Sequence, residues 1–306
     1  MHVYLPIAQI SIDAFVLLGL GLAVGFLSGM FGIGGGFLIT PMLIFLGVPS
    51  DVATATGANQ VVGTSVAGAL AQWRRDNVDL KMGFVLIAGG VVGAAVGVQV
   101  VSWLRQQGQA ELFIALSYVF VLGAVGLLML NESIRALRQA RDGKFRPARR
   151  AGQHSWILKL PFKQRFRHSK LYVSLIPPIA IGFFVGILSA VMGVGGGFIM
   201  VPAMIYLLRM PTKLVIGTSV FQIAFVTAIA TILHATQNKT VDVMLAMLLM
   251  SGGVIGAEFG ARTGQKLAGE QLRALLAILV LAVSARLAYE LMVPPRELFS
   301  VRGASW

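Results

Sequence analysis

Two stretches of an otherwise apolar chain combine bare backbone with polar side chains. "SGMFGIGGGFLITP" runs from Ser28 to Pro41, and "SAVMGVGGGFIMVP" runs from Ser189 to Pro202, 161 positions later. Each holds three consecutive glycines: Gly34, Gly35 and Gly36 in the first, Gly195, Gly196 and Gly197 in the second. A glycine inside a helix costs roughly 1 kcal/mol relative to alanine, so the four in "GIGGG" mark a break. A half-helix restarting near Phe37 or Phe198 begins with amide N–H groups that have no preceding turn, at the positive end of the helix dipole. Glycine leaves such groups uncovered by side chains. The chemistry this suits is capture of a small anion, and it needs no Lys or Arg at membrane depth.

Polar side chains close to these breaks are the candidate partners of that anion. Ser28 and Ser189 belong to the duplicated stretch itself. Asn59 and Gln60 follow Gly57, and Thr218 and Ser219 follow Gly217, so both halves place hydrogen-bonding groups at the start of the next helix; Gln222 lies one turn beyond Thr218. Their alternative use is hydrogen bonding between helices or capping. Glu258 is the only carboxylate well inside an expected span, where burial would raise its pKa and suit it to carry a coupling proton. Arg262, four residues on, offers it a plain salt bridge instead. His234 stands at a span end, where a lone histidine is more often interfacial than functional.

Several chemistries are excluded. The chain has no cysteine, so thiol catalysis and thiolate metal sites are out. Four scattered histidines and few clustered carboxylates give no metal site, and no nucleophile, base and orienting group form a catalytic set. No cofactor is expected. A dinucleotide fingerprint needs a glycine where Phe37 and Phe198 stand, and no Gly-Lys-Ser/Thr phosphate loop occurs.

The elements that must position these groups follow from composition. Of 306 residues 57% are hydrophobic and only 12% charged, with a mean hydropathy of +0.82, more apolar surface than one soluble core hides. Apolar runs long enough to cross about 30 Å of hydrocarbon as helix recur throughout, without the alternating polarity of a membrane barrel. The fold class expected is therefore an all-α polytopic membrane protein. Between Arg135 and Lys170 stand twelve of the 25 Lys and Arg against one acid, Asp142. That segment reads as a cytoplasmic loop resting on anionic lipid headgroups, not as a nucleic-acid site. The first dozen residues lack Lys and Arg, and the first apolar run shows no cleavage-like end, so the amino end is expected to be retained.

Each half reads as a Gly-broken stretch (Ala14 to Leu46; Ile176 to Leu208) followed by three spans: about 54–73, 83–104 and 111–130, then about 213–234, 242–261 and 271–292. Placing every Lys and Arg cluster beside the basic loop requires each broken stretch to be a hairpin that enters and leaves on one side. Five segments per half is an odd number, so the halves are inverted repeats, with 8–10 transmembrane segments in all. The expected division is a first repeat at 1–134, a basic connector at 135–171, a second repeat at 172–293 and a tail at 294–306. Glycines spaced by four, Gly89–Gly93–Gly97 and Gly252–Gly256–Gly260, are expected to pack helices.

The paired motifs, each followed by a proline and then "TGAN" or "GTS", resemble the sulfite exporter TauE/SafE family of membrane permeases over both halves. The resemblance implies a permease for small sulfur-containing anions such as sulfite or an organosulfonate, working without ATP. The connector of about 36 residues is longer than the short link the resemblance implies. The combined expectation is a secondary transporter of the cell inner membrane that binds its anion between the two triplets and alternates access by rocking of the halves. The alternative is an anion or small-solute channel. Oligomeric state, transport direction and coupling ion are not legible in the sequence.

Overall fold

Among the described residues, proline and glycine punctuation separates ten helices, five before the connector and five after it. The computed structural model describes residues 2–31, 36–141, 161–166, 168–169, 171–264 and 269–292. A hairpin of β1 (His2–Leu5) and β2 (Ile10–Asp13) leads into α1 (Ala14–Phe31), α2 (Gly36–Phe45), α3 (Ser50–Trp73), α4 (Leu80–Gln106) and α5 (Ala110–Arg141). A second hairpin, β3 (Lys163–Phe166) and β4 (Leu171–Ser174), leads into α6 (Ile176–Met192), α7 (Gly197–Tyr206), α8 (Thr212–Leu233), α9 (Val243–Gly264) and α10 (Gly269–Met292). One π-helical turn, His234–Asn238, ends α8.

The all-α membrane fold is as expected, and the two antiparallel hairpins are additions to it. The second hairpin straddles the expected boundary at 171/172; most of the basic connector and the tail lie outside the described residues. Among the described residues six helices are long and apolar enough to cross a membrane: α1, α4, α5, α8 extended to Asn238, α9 and α10. α3 has the length, but its Thr54, Thr56, Asn59, Gln60, Thr64 and Ser65 make it too polar to count. Such a helix is tolerated at depth only when other helices surround it. α3 accordingly packs along α8 in the middle of the bundle. Outer surfaces are apolar, with Phe15, Phe120, Leu128 and Met247 exposed where acyl chains would cover them.

Glycine stripes lock the outer pairs. Along α1, Gly21, Gly25 and Gly29 abut the backbone of Leu249, Gly253 and Ala257 on α9, while Gly252, Gly256, Gly260 and Gly264 abut Leu18, Leu22, Phe26 and Met30 in return. The other half makes the same contact with the roles exchanged. Gly182 and Gly186 of α6 abut Leu86 and Gly90 of α4, and Gly89, Gly93 and Gly97 abut Ile179, Phe183 and Ile187. In lipid no hydrophobic force drives helices together, so close backbone contact between small residues supplies the association. The expected packing role of these stripes is what the structure shows.

Two buried aspartates fix which end each broken pair uses. Asp242, just before α9, donates its N–H to Thr56 Oγ1 near the start of α3 (3.2 Å) and accepts the Ile7 N–H of the first hairpin (3.1 Å). The first hairpin and the beginnings of α1, α3 and α9 therefore gather at one end. At the far end of α3, Asp79 donates its N–H to Thr218 Oγ1 near the start of α8 (3.0 Å) and accepts the Ser169 N–H of the second hairpin (3.1 Å). Because α2 leads into α3 and α7 into α8, each broken pair enters and leaves at a single end. The two pairs use opposite ends.

Candidate functional site

The second break is built by backbone that only glycine adopts easily. α6 ends at Met192, and Gly193, Gly195 and Gly196 have φ of 67°, 73° and 70°. All three are left-handed, a region that costs a residue with a Cβ roughly 1–2 kcal/mol. Gly193 closes α6 by donating its N–H to Ser189 O (2.8 Å). Gly196 precedes α7, no side chain caps that helix, and the carbonyl of Gly196 accepts from Ile199 (3.1 Å) and Met200 (2.9 Å). The first-turn amides of Gly197 and Phe198 have no earlier turn to bond to.

Gly34 and Gly35 lie outside the described residues; Gly36 is the first residue of α2. Its open side faces Val61 of α3 and the carbonyl of Val194, so the two breaks touch backbone to backbone. Phe37 and Phe198, the next residues, bring their rings within 6.2 Å. A Cβ on Gly195 would stand 2.8 Å from both Val61 Cγ1 and Ile223 Cγ2, with Thr227 at 3.3 Å. Gly193 abuts the Thr54 carbonyl, and Gly196 abuts Val185. Both breaks thus meet between α3 and α8, and in this conformation Val61 and Ile223 close over the second triplet. Residues 193–197 are all buried.

Of the polar candidates, the structure divides one group from another. Thr218 and Ser219 serve the fold: Thr218 accepts from Asp79, and Ser219 Oγ donates to Ile216 O in its own helix (3.0 Å). That is the capping and interhelical alternative. Asn59 is half-buried and Ser28 buried. Ser189 is fully buried and its Oγ has no partner. Gln60 and Gln222 are both fully buried, and neither Nε2 nor Oε1 of either one has a partner.

Each of these glutamines lies against a glycine crossing between two helices. Gln60 Nε2 lies against Gly253 of α9, and Gln222 Nε2 lies against Gly90 of α4, 2.9 Å from where a Cβ would be. Gly253 and Gly90 back onto Gly25 and Gly186, one turn before Ser28 and Ser189. Each half therefore contributes a glutamine and a serine to a glycine crossing. Val61 and Ile223, which follow the glutamines in sequence, reach the second triplet.

Glu258 sits elsewhere. Its side chain is 63% exposed on α9 and accepts from Arg262 Nε (3.2 Å) and Nη2 (3.0 Å), so the burial that a coupling role presumed is absent. The pair stands on the outer face of α9, beside the exposed Phe259. Glu258→Gln is expected to leave anion flux and its response to a proton gradient within about twofold of wild type, measured in reconstituted vesicles.

Some participants were not picked out in the sequence. Tyr118 of α5 is fully buried and donates its hydroxyl to the carbonyl of Met192, bracing the last residue of α6 against the break. Asp79 and Asp242 were missed too, although "VDL" and "VDV" stand before the two fourth helices, and an Asp ahead of an apolar run signals a helix start. His234 is buried, not interfacial. Its Nε2–H donates to Ala190 O (3.0 Å), and its Nδ1 lies 3.0 Å from Asn238 Nδ2. Asn238 in turn accepts from Ser102 Oγ (2.6 Å) and, through its carbonyl, from Arg105 Nη1 (2.5 Å).

A separate cavity of about 350 Å3 lies where α4 begins, lined by Trp73, Asp79, Lys81, Arg165 and His168 among others, with no residue of the second triplet among its described lining. Among the described residues no group of three or more His, Asp or Glu is placed to hold a metal ion.

The profile described as "Sulfite exporter TauE/SafE" matches residues 17–287, which contain both breaks and every polar candidate. The chain is 28% identical to the probable membrane transporter protein YunE of Bacillus subtilis over 284 residues, 90% of this chain and 97% of the relative. It is 29% identical to a probable membrane transporter protein of Xylella fastidiosa strain 9a5c, covering 88% of this chain and 92% of that one. A shorter match, 30% identical over 122 residues, is to the sulfite exporter TauE/SafE family protein 3 of Arabidopsis thaliana, covering 38% of this chain and 26% of that one. No solved structure matches significantly. With the profile spanning both halves and full-length relatives named as membrane transporters, the chain belongs to the sulfite exporter TauE/SafE family of membrane transporters.

Proposed function

We propose that this protein is a secondary transporter of the cell inner membrane that carries a small oxyanion, sulfite or an organosulfonate, by alternating access. One observation carries the reading: two Gly-containing breaks enter from opposite ends and meet between α3 and α8. Irregular backbone survives at membrane depth only when protein or a water-lined cavity surrounds it, so its convergence marks the functional centre. Helix-start amides there supply positive potential. No Lys or Arg is among the buried side chains of the described residues, so a fixed charge would not trap the passenger.

Val61 and Ile223 cover Gly195, and access to it needs α3 and α8 to part. Two half-structures that enter from opposite ends can part at one end while closing at the other. Ser28, Ser189, Gln60 and Gln222 are the side chains best placed to supplement the amides. Asn59 has a weaker claim, and Thr218 and Ser219 are committed to the fold.

Flux of labelled sulfite, ethanesulfonate and isethionate in vesicles reconstituted with the purified protein tests the reading. A carrier is expected to saturate and to be stimulated by unlabelled anion on the opposite side. Flux without either property would mean a pore, and no flux of any sulfur anion would end the reading.

A further inference from the structure

The transport reading leaves open which protonation state of the anion is carried. A glutamine amide offers two N–H donors and a carbonyl acceptor, and in an apolar interior each unmade bond is costly. Gln60 and Gln222 are fully buried with Nε2 and Oε1 both unpartnered, so each presents donors and an acceptor together. Either orientation of the amide gives the same inventory, so the assignment of N and O does not matter. The two amides occupy equivalent places, over Gly253 of α9 and over Gly90 of α4.

A fully deprotonated oxyanion has acceptor oxygens only. It satisfies the Nε2 donors but sets a negative oxygen against each Oε1 carbonyl. A second negative charge makes this worse, because the described interior holds no Lys or Arg, and its two buried carboxylates, Asp79 and Asp242, already accept at helix starts. An anion that keeps one proton on a polar atom matches both halves of the amide. Ser189 Oγ, buried and unpartnered, adds a group able to donate or accept.

We infer that the passenger is a singly charged oxyanion bearing its own hydrogen-bond donor, such as hydrogensulfite or a hydroxylated sulfonate, recognised through the amides of Gln60 and Gln222. For hydrogensulfite the proton then crosses with the substrate. No titrating side chain in the membrane is required, in keeping with the exposed, paired Glu258. The inference rests on the anion-transport reading and sharpens its substrate.

Two measurements in reconstituted vesicles, each corrected for protein-free vesicles, test it. In the first, sulfite flux is followed at fixed total concentration as pH is varied across the ionisation of hydrogensulfite. Flux is expected to follow the hydrogensulfite fraction, with KM constant when expressed in that species. In the second, isethionate is compared with ethanesulfonate, which lacks only the hydroxyl. The hydroxylated anion is expected to be carried about tenfold faster or more at low concentration, as a site with buried polar groups rejects an analogue that leaves them unpaired. Gln222→Leu and Gln60→Leu are expected to erase most of that ratio; Gln→Met, closer in shape, serves if leucine prevents folding. Equal flux of ethanesulfonate and isethionate, or sulfate carried as well as hydrogensulfite, overturns the donor requirement while leaving anion transport standing. Absence of flux for every sulfur anion overturns the transport reading and this inference with it.

Discussion

Leucine at Gly196 is expected to lower anion flux by about a hundredfold or more while the protein still inserts and folds. Two costs combine there. A φ of 70° disfavours any residue with a Cβ by roughly 1–2 kcal/mol, and the new side chain would point into Val185 of α6, where overpacking costs about 1–3 kcal/mol. The break relieves this by moving Gly197 and Phe198, the residues whose amides are proposed to meet the anion. A displacement costing a few kcal/mol corresponds to about two orders of magnitude in rate. The glycine stripes that hold α1 to α9 and α4 to α6 are untouched, so insertion should survive. Gly19 provides the control, since a Cβ there meets nothing within 4 Å. Gly19→Leu should leave flux within about twofold. Wild-type flux in Gly196→Leu, at equal amounts of protein in the vesicles, would show that the break is structural only.

How legible was this arrangement beforehand? The ten-helix layout followed from hydropathy and from the two Gly-rich interruptions, because lipid forces backbone into helices and makes any break conspicuous. The hairpin reading of the breaks came from loop charge alone, and the ends marked by Asp79 and Asp242 agree with it. The β hairpins were not legible. One lies in a short amino-terminal stretch with an ordinary turn, and the other is hidden in a run of Lys and Arg that reads as lipid-facing loop. α3 was legible as a helix, but its central place appears only when Thr54 to Ser65 are taken as a polar stripe needing cover.

At the site, residue type was informative and direction was not. Thr218 and Gln222 lie one turn apart on α8, yet one accepts the N–H of Asp79 ahead of α4 and the other faces Gly90. Sequence spacing placed both near the breaks and had no means of separating their roles. Glu258 was the reverse case. A lone carboxylate in an apolar run suggested burial, but its face of α9 points outward, and the Arg262 alternative is the one realised. Tyr118 gave no signal beyond being a tyrosine in an apolar span, because the Met192 carbonyl it meets is 74 positions away.

Replacing either helix-start aspartate with alanine is expected to be the most damaging change to stability. At Asp242 one carboxylate oxygen accepts from Leu245 N–H (3.2 Å) and the other from Ile7 N–H (3.1 Å). Alanine removes the cap, worth about 1 kcal/mol, and leaves the buried Leu245 N–H unpaired at about 1–3 kcal/mol. At Asp79 the loss is larger in kind, since Met82 N–H (3.1 Å), Ser169 N–H (3.1 Å) and the Ser169 hydroxyl all converge on it. A melting temperature lower by roughly 5–10 °C is expected for each variant, read by scanning fluorimetry in detergent. Asparagine keeps one acceptor oxygen but turns an NH2 toward a donor, so Asp79→Asn and Asp242→Asn should fall between. The variants should also differ from one another. Asp79→Ala frees the second hairpin, which carries Lys163 and Arg165, and should quicken tryptic cleavage there; Asp242→Ala frees the first, whose strands contain no Lys or Arg. Wild-type melting in both alanine variants would mean that the hairpins rest on the bundle without being held. Loss in both would mean that each broken pair is pinned, at its own end, to the fourth helix of the opposite half, and the proposed rocking would then have to turn about those two points.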